Sequence, residues 1–221
     1  MLKTAILVDG GYYRKRAAHL AGHKTPAGRA EELQAYCRAH ISKDTYLYRI
    51  FYYDCPPLDK NVFHPLLQKQ IDFRKSETYS WTIDFFNHLK RQRKFALRMG
   101  KLEERNTSCY RIKQDSMKKL LAGKLSLQTL TESDFEIDFV QKGVDMRIGL
   151  DIASLSHKRL VDQIVLISGD SDFVPAAKHA RREGIDFILD AMGQHVNQDL
   201  LEHIDGMQSH WKRLKNPEHK E

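Results

Sequence analysis

Four short apolar runs constrain this chain more than any other feature: TAILVD at 4–9, TYLYRIFYYD at 45–54, QIVLIS at 163–168 and DFILDAM at 186–192. A strand with one wet face alternates apolar and polar residues, whereas these runs are apolar almost without a break. Such strands are buried on both faces, which requires a parallel sheet clad in helices. The intervening stretches suit that reading. TPAGRAEELQAYCRAHI carries Thr25 as a helix cap with Pro26 at the first helical position. Helices are also expected at about 60–75 and 79–93, around DSMKKLLAG, and over KGVDMRIGLDIASLSHKR, SDFVPAAKHARREG and NQDLLEHID. FALRMGKLEER and SCYRIK read as strands or a ribbon, and FEIDFVQ as one more strand. The fold class is therefore α/β. One domain is expected over 1–210, with a basic insertion at about 58–130 and a polar tail at 211–221.

Charge is unevenly spread. Between Leu89 and Lys124 stand twelve Lys or Arg against three acids, a net +9 in a chain whose total is +7. Between Glu132 and Asp172 stand nine acids against four bases. An acidic site beside a basic arm suits an enzyme acting on a polyanion, and equally suits a solvated helical face beside ordinary acidic turns. No run approaches the ~18 apolar residues of a membrane span, so no membrane partner is expected. The N-terminus enters a strand directly, without the layout of a signal peptide. Cys37, Cys55 and Cys109 show no zinc or disulfide spacing, which suits a reducing cytoplasm.

Ligands of open parallel sheets bind at the carboxyl ends of the strands. Asp9 ends the first strand, Asp54 the second and Asp190 the last; Asp170 and Asp172 follow VLIS, and Asp145 opens a helix. Any one of them has an ordinary explanation as a helix cap. Several converging on one edge favour a hard cation with oxygen ligands, Mg²⁺ or Mn²⁺. Asp151 lies six residues beyond Asp145, roughly 120° further around the helix, and is expected to form a surface salt bridge instead. Ser168 serves the turn or orients a carboxylate, and Lys142 meets a phosphate or ends a strand.

ILVDGGYY, KGVDMRIGLDIASLS and LISGDSDFVPAAKHARREGIDFIL together resemble the NYN family, LabA-like members of the PIN-like nuclease superfamily. The resemblance covers about 1–56 and 135–210, and its most specific block is SGDSDF-x-P. It implies a flavodoxin-like sheet and a metal-dependent ribonuclease whose Mg²⁺ or Mn²⁺ is held by Asp9, Asp145, Asp170 and Asp172. Where many relatives carry an Asn shortly after the first Asp, this chain reads Gly10-Gly11-Tyr12-Tyr13. The glycines suit a tight turn, and Tyr12 either stacks on a base or packs in the core. Lys90, Arg91, Arg93, Lys94, Lys118 and Lys119 are the expected contacts to phosphates of RNA, with DNA the other polynucleotide open. A second copy of the chain or a regulatory protein is a further admissible partner.

Other chemistries fit less well. A phosphatase of the haloacid dehalogenase type needs D-x-D straight after the first strand, where Gly11 stands. A Toprim domain has Glu in place of Asp9, and DGGYYRKR lacks the G-x-G-x-x-G of a dinucleotide fold. The rival from another class is a non-catalytic RNA-binding or scaffold protein that kept the fold.

Overall fold

A computed structural model describes residues 1–104 and 109–211. In chain order the elements are β1 (Leu2–Asp9), α1 (Gly10–Ala21), α2 (Pro26–Ala39), β2 (Thr45–Asp54), β3 (Asn61–His64), β4 (Lys69–Asp72), α3 (Glu77–Arg91) and β5 (Phe95–Met99). Then come β6 (Lys101–Glu104), β7 (Tyr110–Ile112), α4 (Gln114–Leu121), β8 (Phe135–Ile137), β9 (Phe139–Lys142) and α5 (Val144–His157). The chain closes with β10 (Gln163–Ile167), α6 (Val174–Arg182), β11 (Asp186–Asp190), α7 (Gln198–Leu201) and β12 (Gly206–Met207).

Six strands form one parallel sheet in the order β12-β11-β10-β1-β2-β5. Every residue of the central run Ala5–Val8 is buried because helices cover both faces. Ala5, Leu7, Ile164 and Leu166 meet Ile148 and Ile152 of α5 and Ala177 and Ala180 of α6 on one side. Ile6, Val8, Val165 and Ile167 meet Tyr13 of α1, Leu33 of α2 and Phe85 and Leu89 of α3 on the other. This is why the strands read as unbroken apolar runs. After β1 the chain builds outward through β2 and β5, then returns to lay β10, β11 and β12 on the opposite flank. The direction of winding reverses between β1 and β10, and that crevice is where open α/β sheets bind ligands.

Four expectations change. Residues 61–72 form an antiparallel hairpin, with Asn61 opposite Asp72 and His64 opposite Lys69, in place of the expected helix. The local signal is a period of two: Val62 and His64 are buried, while Asn61 and Phe63 are exposed. Gly10-Gly11 opens helix α1, where a tight turn was expected. FEIDFVQ divides at the buried Asp138, so that Phe135–Ile137 pairs with β7 and Phe139–Lys142 with β6. Trp211 belongs to the core, 6% exposed and edge-on to Tyr36, rather than to a polar tail; the remainder of that tail, 212–221, lies outside the described residues.

Within 58–130, α3 and β5 are parts of the main layers. What projects is the β3–β4 hairpin and an arm that leaves β5 at Gly100 and returns through β9. Among the described residues no helix is long and apolar enough to cross a membrane.

Candidate active site

Asp9 reaches the crevice because its neighbour in the chain, Gly10, has no side chain. A side chain on Gly10 would begin 2.5 Å from the Tyr52 ring and 2.6 Å from the Tyr53 carbonyl oxygen, so only glycine lets α1 start this close to β2. Asp9 caps that helix, its Oδ1 accepting from the Tyr12 N–H at 3.0 Å. Its Oδ2 accepts from the buried Ser168 hydroxyl at 3.4 Å, which links β1 to the end of β10. Ser168 Oγ also accepts the Asp170 N–H at 3.3 Å, and Asp170 Oδ1 accepts the Asp172 N–H at 3.0 Å. Asp170 therefore caps the 3-10 turn Ser171–Phe173, anchored by the buried Phe173 ring. Asp145 sits in the first turn of α5, after Gly143 at φ 78°, a left-handed cap suited to glycine. Arg147 closes that turn by donating to the Gly143 carbonyl at 2.8 Å.

The four carboxylates act on one another. Burial pushes the Asp9 carboxyl up to about 6, the charges of Asp145 and Asp54 add to the rise, and the hydrogen bonds from Tyr12 N–H and Ser168 oppose it. Asp145 is also raised, first by desolvation and then by Asp170 and Asp172. Asp145, Asp170 and Asp172 are exposed. Among the described residues none of the four takes part in an ion pair.

The other strand-end acids are engaged by partners within the protein. Asp54, fully buried, accepts from Arg14 Nη2 at 3.0 Å, from the Tyr52 hydroxyl at 2.9 Å and from the Cys55 N–H at 2.8 Å, and its Oδ2 pairs with Arg14 Nε at 3.0 Å as an ion-pair contact. Asp190 accepts from the Tyr36 hydroxyl and, at 2.8 Å, from the Met192 N–H, and lies 3.0 Å from His40 Nε2. Asp151 pairs with Arg98 at 3.1 Å and accepts from Tyr53 at 2.8 Å, the surface salt bridge expected of it. Lys142 pairs with Glu103 at 2.6 Å.

The basic candidates fall in different places. Lys90, Arg91, Arg93 and Lys94 precede β5, and β5 runs parallel to β2 with Phe95 opposite Ile50 and Met99 opposite Asp54. They stand at the far end of the sheet, about 16 Å of strand away from the aspartates. Lys94 is further committed: its amine donates to the Leu47 carbonyl and lies 3.8 Å above the Tyr46 ring. Lys118 and Lys119 lie on α4, in the arm that springs from the aspartate end of the sheet. Tyr12 realises the packing alternative. Its hydroxyl donates to the Ala191 carbonyl at 2.6 Å, and its ring covers Gly169, where a side chain would begin 3.0 Å away.

Sequence reasoning missed Arg14, whose pairing withdraws Asp54 from the site. Its signal was the spacing from Gly10, one helical turn, visible only once Gly10 is read as a helix start. Neither Cys55 nor Ser168 is a ready nucleophile: burial pushes the Cys55 thiol up to about 11, and Ser168 is fully buried.

The donor set is all carboxylate oxygen, which suits a hard cation. Among the described residues no three or more His, Cys, Asp or Glu side chains stand close enough to enclose a metal ion. The arrangement thus fits an ion that keeps several waters and touches one or two carboxylates, as Mg²⁺ does.

A six-stranded parallel sheet clad in helices, with acids at its switch point, is a fold of the PIN-like type. The NYN domain family matches residues 84–209, more than half of the chain, and the chain belongs to that family. Asp145, Asp170 and Asp172 fall inside the match, and Asp9 precedes it. No curated protein matches significantly. Among solved structures, a protein of unknown function from Vibrio parahaemolyticus is similar with a TM-score of 0.51 at 14% identity, over 93% of this chain and 91% of that one. This likeness speaks for the fold alone. Sir2Tm bound to a propionylated peptide aligns over 97% and 90% at 11% identity, but its TM-score of 0.36 carries no argument.

The raised Asp9 carboxyl has a consequence for the metal-free protein. Between about pH 4 and 6 the folded chain holds a proton that the unfolded chain has already released. Stability should therefore fall as pH rises through that window, by no more than about 3 kcal/mol, and flatten above it. Urea unfolding in EDTA at stepped pH measures this. Asp9→Asn should flatten the profile, and an unchanged slope would place the proton elsewhere.

Proposed function

We propose that this protein is a divalent-cation-dependent ribonuclease. The carrying observation is that Asp9, Asp145, Asp170 and Asp172 share the switch-point edge within electrostatic reach, Asp145 acting on Asp9 and acted on by Asp170 and Asp172, and that among the described residues none of them is in an ion pair. Negative charges gathered at one edge call for a bound cation: one or two of these four carboxylates would hold Mg²⁺ or Mn²⁺ directly, and the others through its waters. When bound, such an ion polarises a phosphodiester and supports an attacking water. Ser168 orients Asp9, and the turn around Asp170 presents two exposed carboxylates toward solvent. Lys118 and Lys119, on the arm that leaves that end of the sheet, would meet the phosphates of the strand being cut.

The test uses purified protein and end-labelled single-stranded RNA. Cleavage is expected with Mn²⁺ or Mg²⁺ and none in EDTA. RNA that is bound but left whole with either ion would support the second reading, a non-catalytic RNA-binding protein, which the open spacing of the acids favours.

The two basic runs are expected to behave differently. Replacing Lys118 and Lys119 by Gln should weaken binding evenly across sequences and lower the salt slope by about 0.7 per lost contact. Replacing Lys90 and Arg91 should leave the slope unchanged. The measurement is RNA affinity over a range of salt; equal effects from both pairs would refute the placement of the strand at the aspartate end.

A further inference from the structure

A pocket of about 280 Å³ opens beside the aspartate edge, walled by Pro56, Pro57, Phe73, Tyr79 and Leu102, with Gln141 at its rim. It lies at the small end of ligand pockets, which run roughly 300–1,000 Å³, and suits a single flat group rather than a cofactor. Gln141 connects it to the site: its Oε1 and Asp9 Oδ1 are each 3.6 Å from where a Gly11 side chain would begin. Glycine at this position thus lies against both the acid and the amide, and a Cβ there would make ordinary van der Waals contact with each. Arg14 lines the inner side, held by Asp54. Beyond Arg14, Thr78 and Thr82, which both spaces share, a second hollow of about 560 Å³ continues past Trp81, His23 and Lys24.

We infer that this pocket receives an unstacked nucleobase of the RNA strand whose phosphate lies at the aspartate edge, with Tyr79 as the stacking surface and Gln141 as the group that reads the base edge. The inference rests on the ribonuclease reading above and adds to it a position of base preference. Three features favour a base over another occupant. The walls are mainly carbon and include two aromatic rings, which accept any base face. A primary amide supplies one donor and one acceptor at the mouth, the pair that a base edge complements. Single-stranded RNA is recognised mostly through splayed bases stacked on aromatic side chains, so the pocket and the neighbouring phosphate site serve one strand.

Residues from separate parts of the chain build the pocket. Pro56 and Pro57 follow β2, Phe73 and Tyr79 flank the start of α3, and Leu102 and Gln141 come from the arm. The β6–β9 ribbon that places Leu102 opposite Gln141 is therefore one wall of the pocket. This assigns the base of the arm a role in selection, while its lysines act on phosphates.

The experiment measures fluorescence anisotropy of labelled oligo(A), oligo(C) and oligo(U) RNA on the Asp170→Asn variant in Mn²⁺, so that bound RNA stays whole. Against that parent, Tyr79→Ala is expected to weaken binding by about five- to a hundredfold, the range for loss of one stacked base. Tyr79→Phe, which keeps the ring, should restore most of it. Gln141→Ala, at an exposed position, should change the ranking of the three oligomers more than their common affinity. Tight binding that neither Tyr79→Ala nor Gln141→Ala alters would overturn the pocket and leave the ribonuclease reading standing. Failure of the parent to bind any oligomer would overturn both.

Discussion

Asp9→Asn and Asp170→Asn are each expected to lower metal-dependent RNA cleavage by at least about a hundredfold while the fold stays intact. Each change keeps the size of the side chain and removes one negative charge from the crevice. Asn also serves as a helix cap, so the Tyr12 N–H at α1 and the Asp172 N–H at the 3-10 turn keep an acceptor. What disappears is the charge that would hold the cation. Asp151→Asn is the matching control, because Asp151 is spent on Arg98 and Tyr53. Its cleavage rate should stay within about twofold of wild type, a surface ion pair being worth little. Single-turnover rates with Mn²⁺ and circular dichroism of all three variants make the comparison. Retention of more than about a tenth of the rate in both crevice variants would end the four-aspartate assignment.

Asp54→Ala should instead damage the fold. It removes the ion-pair partner of Arg14 and the acceptor of the Arg14 Nη2, Tyr52 hydroxyl and Cys55 N–H hydrogen bonds, all around a carboxylate with no exposed surface. Breaking a buried ion pair from one side strands the other charge, at about 3–5 kcal/mol. For a domain of this size that is a loss of roughly 10 °C in melting temperature. Replacing both partners, Asp54→Leu with Arg14→Met, should recover much of the loss because no charge is left alone. Chemical denaturation measures both. A cost below about 1 kcal/mol for Asp54→Ala would mean that water reaches Arg14 and the network is not closed.

Strand-end aspartates are alike in sequence and diverge in the structure. Asp9, Asp54, Asp170 and Asp190 each follow an apolar run, and nothing local separates them. Arg14 claims Asp54, and Tyr36 with His40 claims Asp190. The Asp9 carboxylate accepts from the Tyr12 N–H and the neutral Ser168 hydroxyl and that of Asp170 from the Asp172 N–H, so among the described residues neither meets a cationic side chain and both stay available. The sorting is done by partners 40, 154 and 150 residues away, which a reading along the chain does not reach. The basic segment shows the same limit. Lys90–Lys94 and Lys118–Lys119 look like one arm in sequence, yet β5 runs between them and carries the chain from one end of the sheet to the other.

Some properties are written locally and were readable for that reason. Apolar runs without alternation require burial on both faces, so TAILVD and QIVLIS announce a helix-covered parallel sheet. Thr25-Pro26 starts a helix wherever it falls, and SGDSDF turns a strand into a helix with two acids exposed. The tertiary structure decided the rest. It determined that Gly10-Gly11 begins a helix, because only glycine clears the Tyr52 ring. It turned 61–72 into a hairpin through the burial of Val62 and His64. It also set Gln141 from the arm beside Asp9 from the first strand. Hydrophobic periodicity and capping act over a few residues and can be read from them, whereas charge pairing and close approach depend on which distant segments the sheet order brings together.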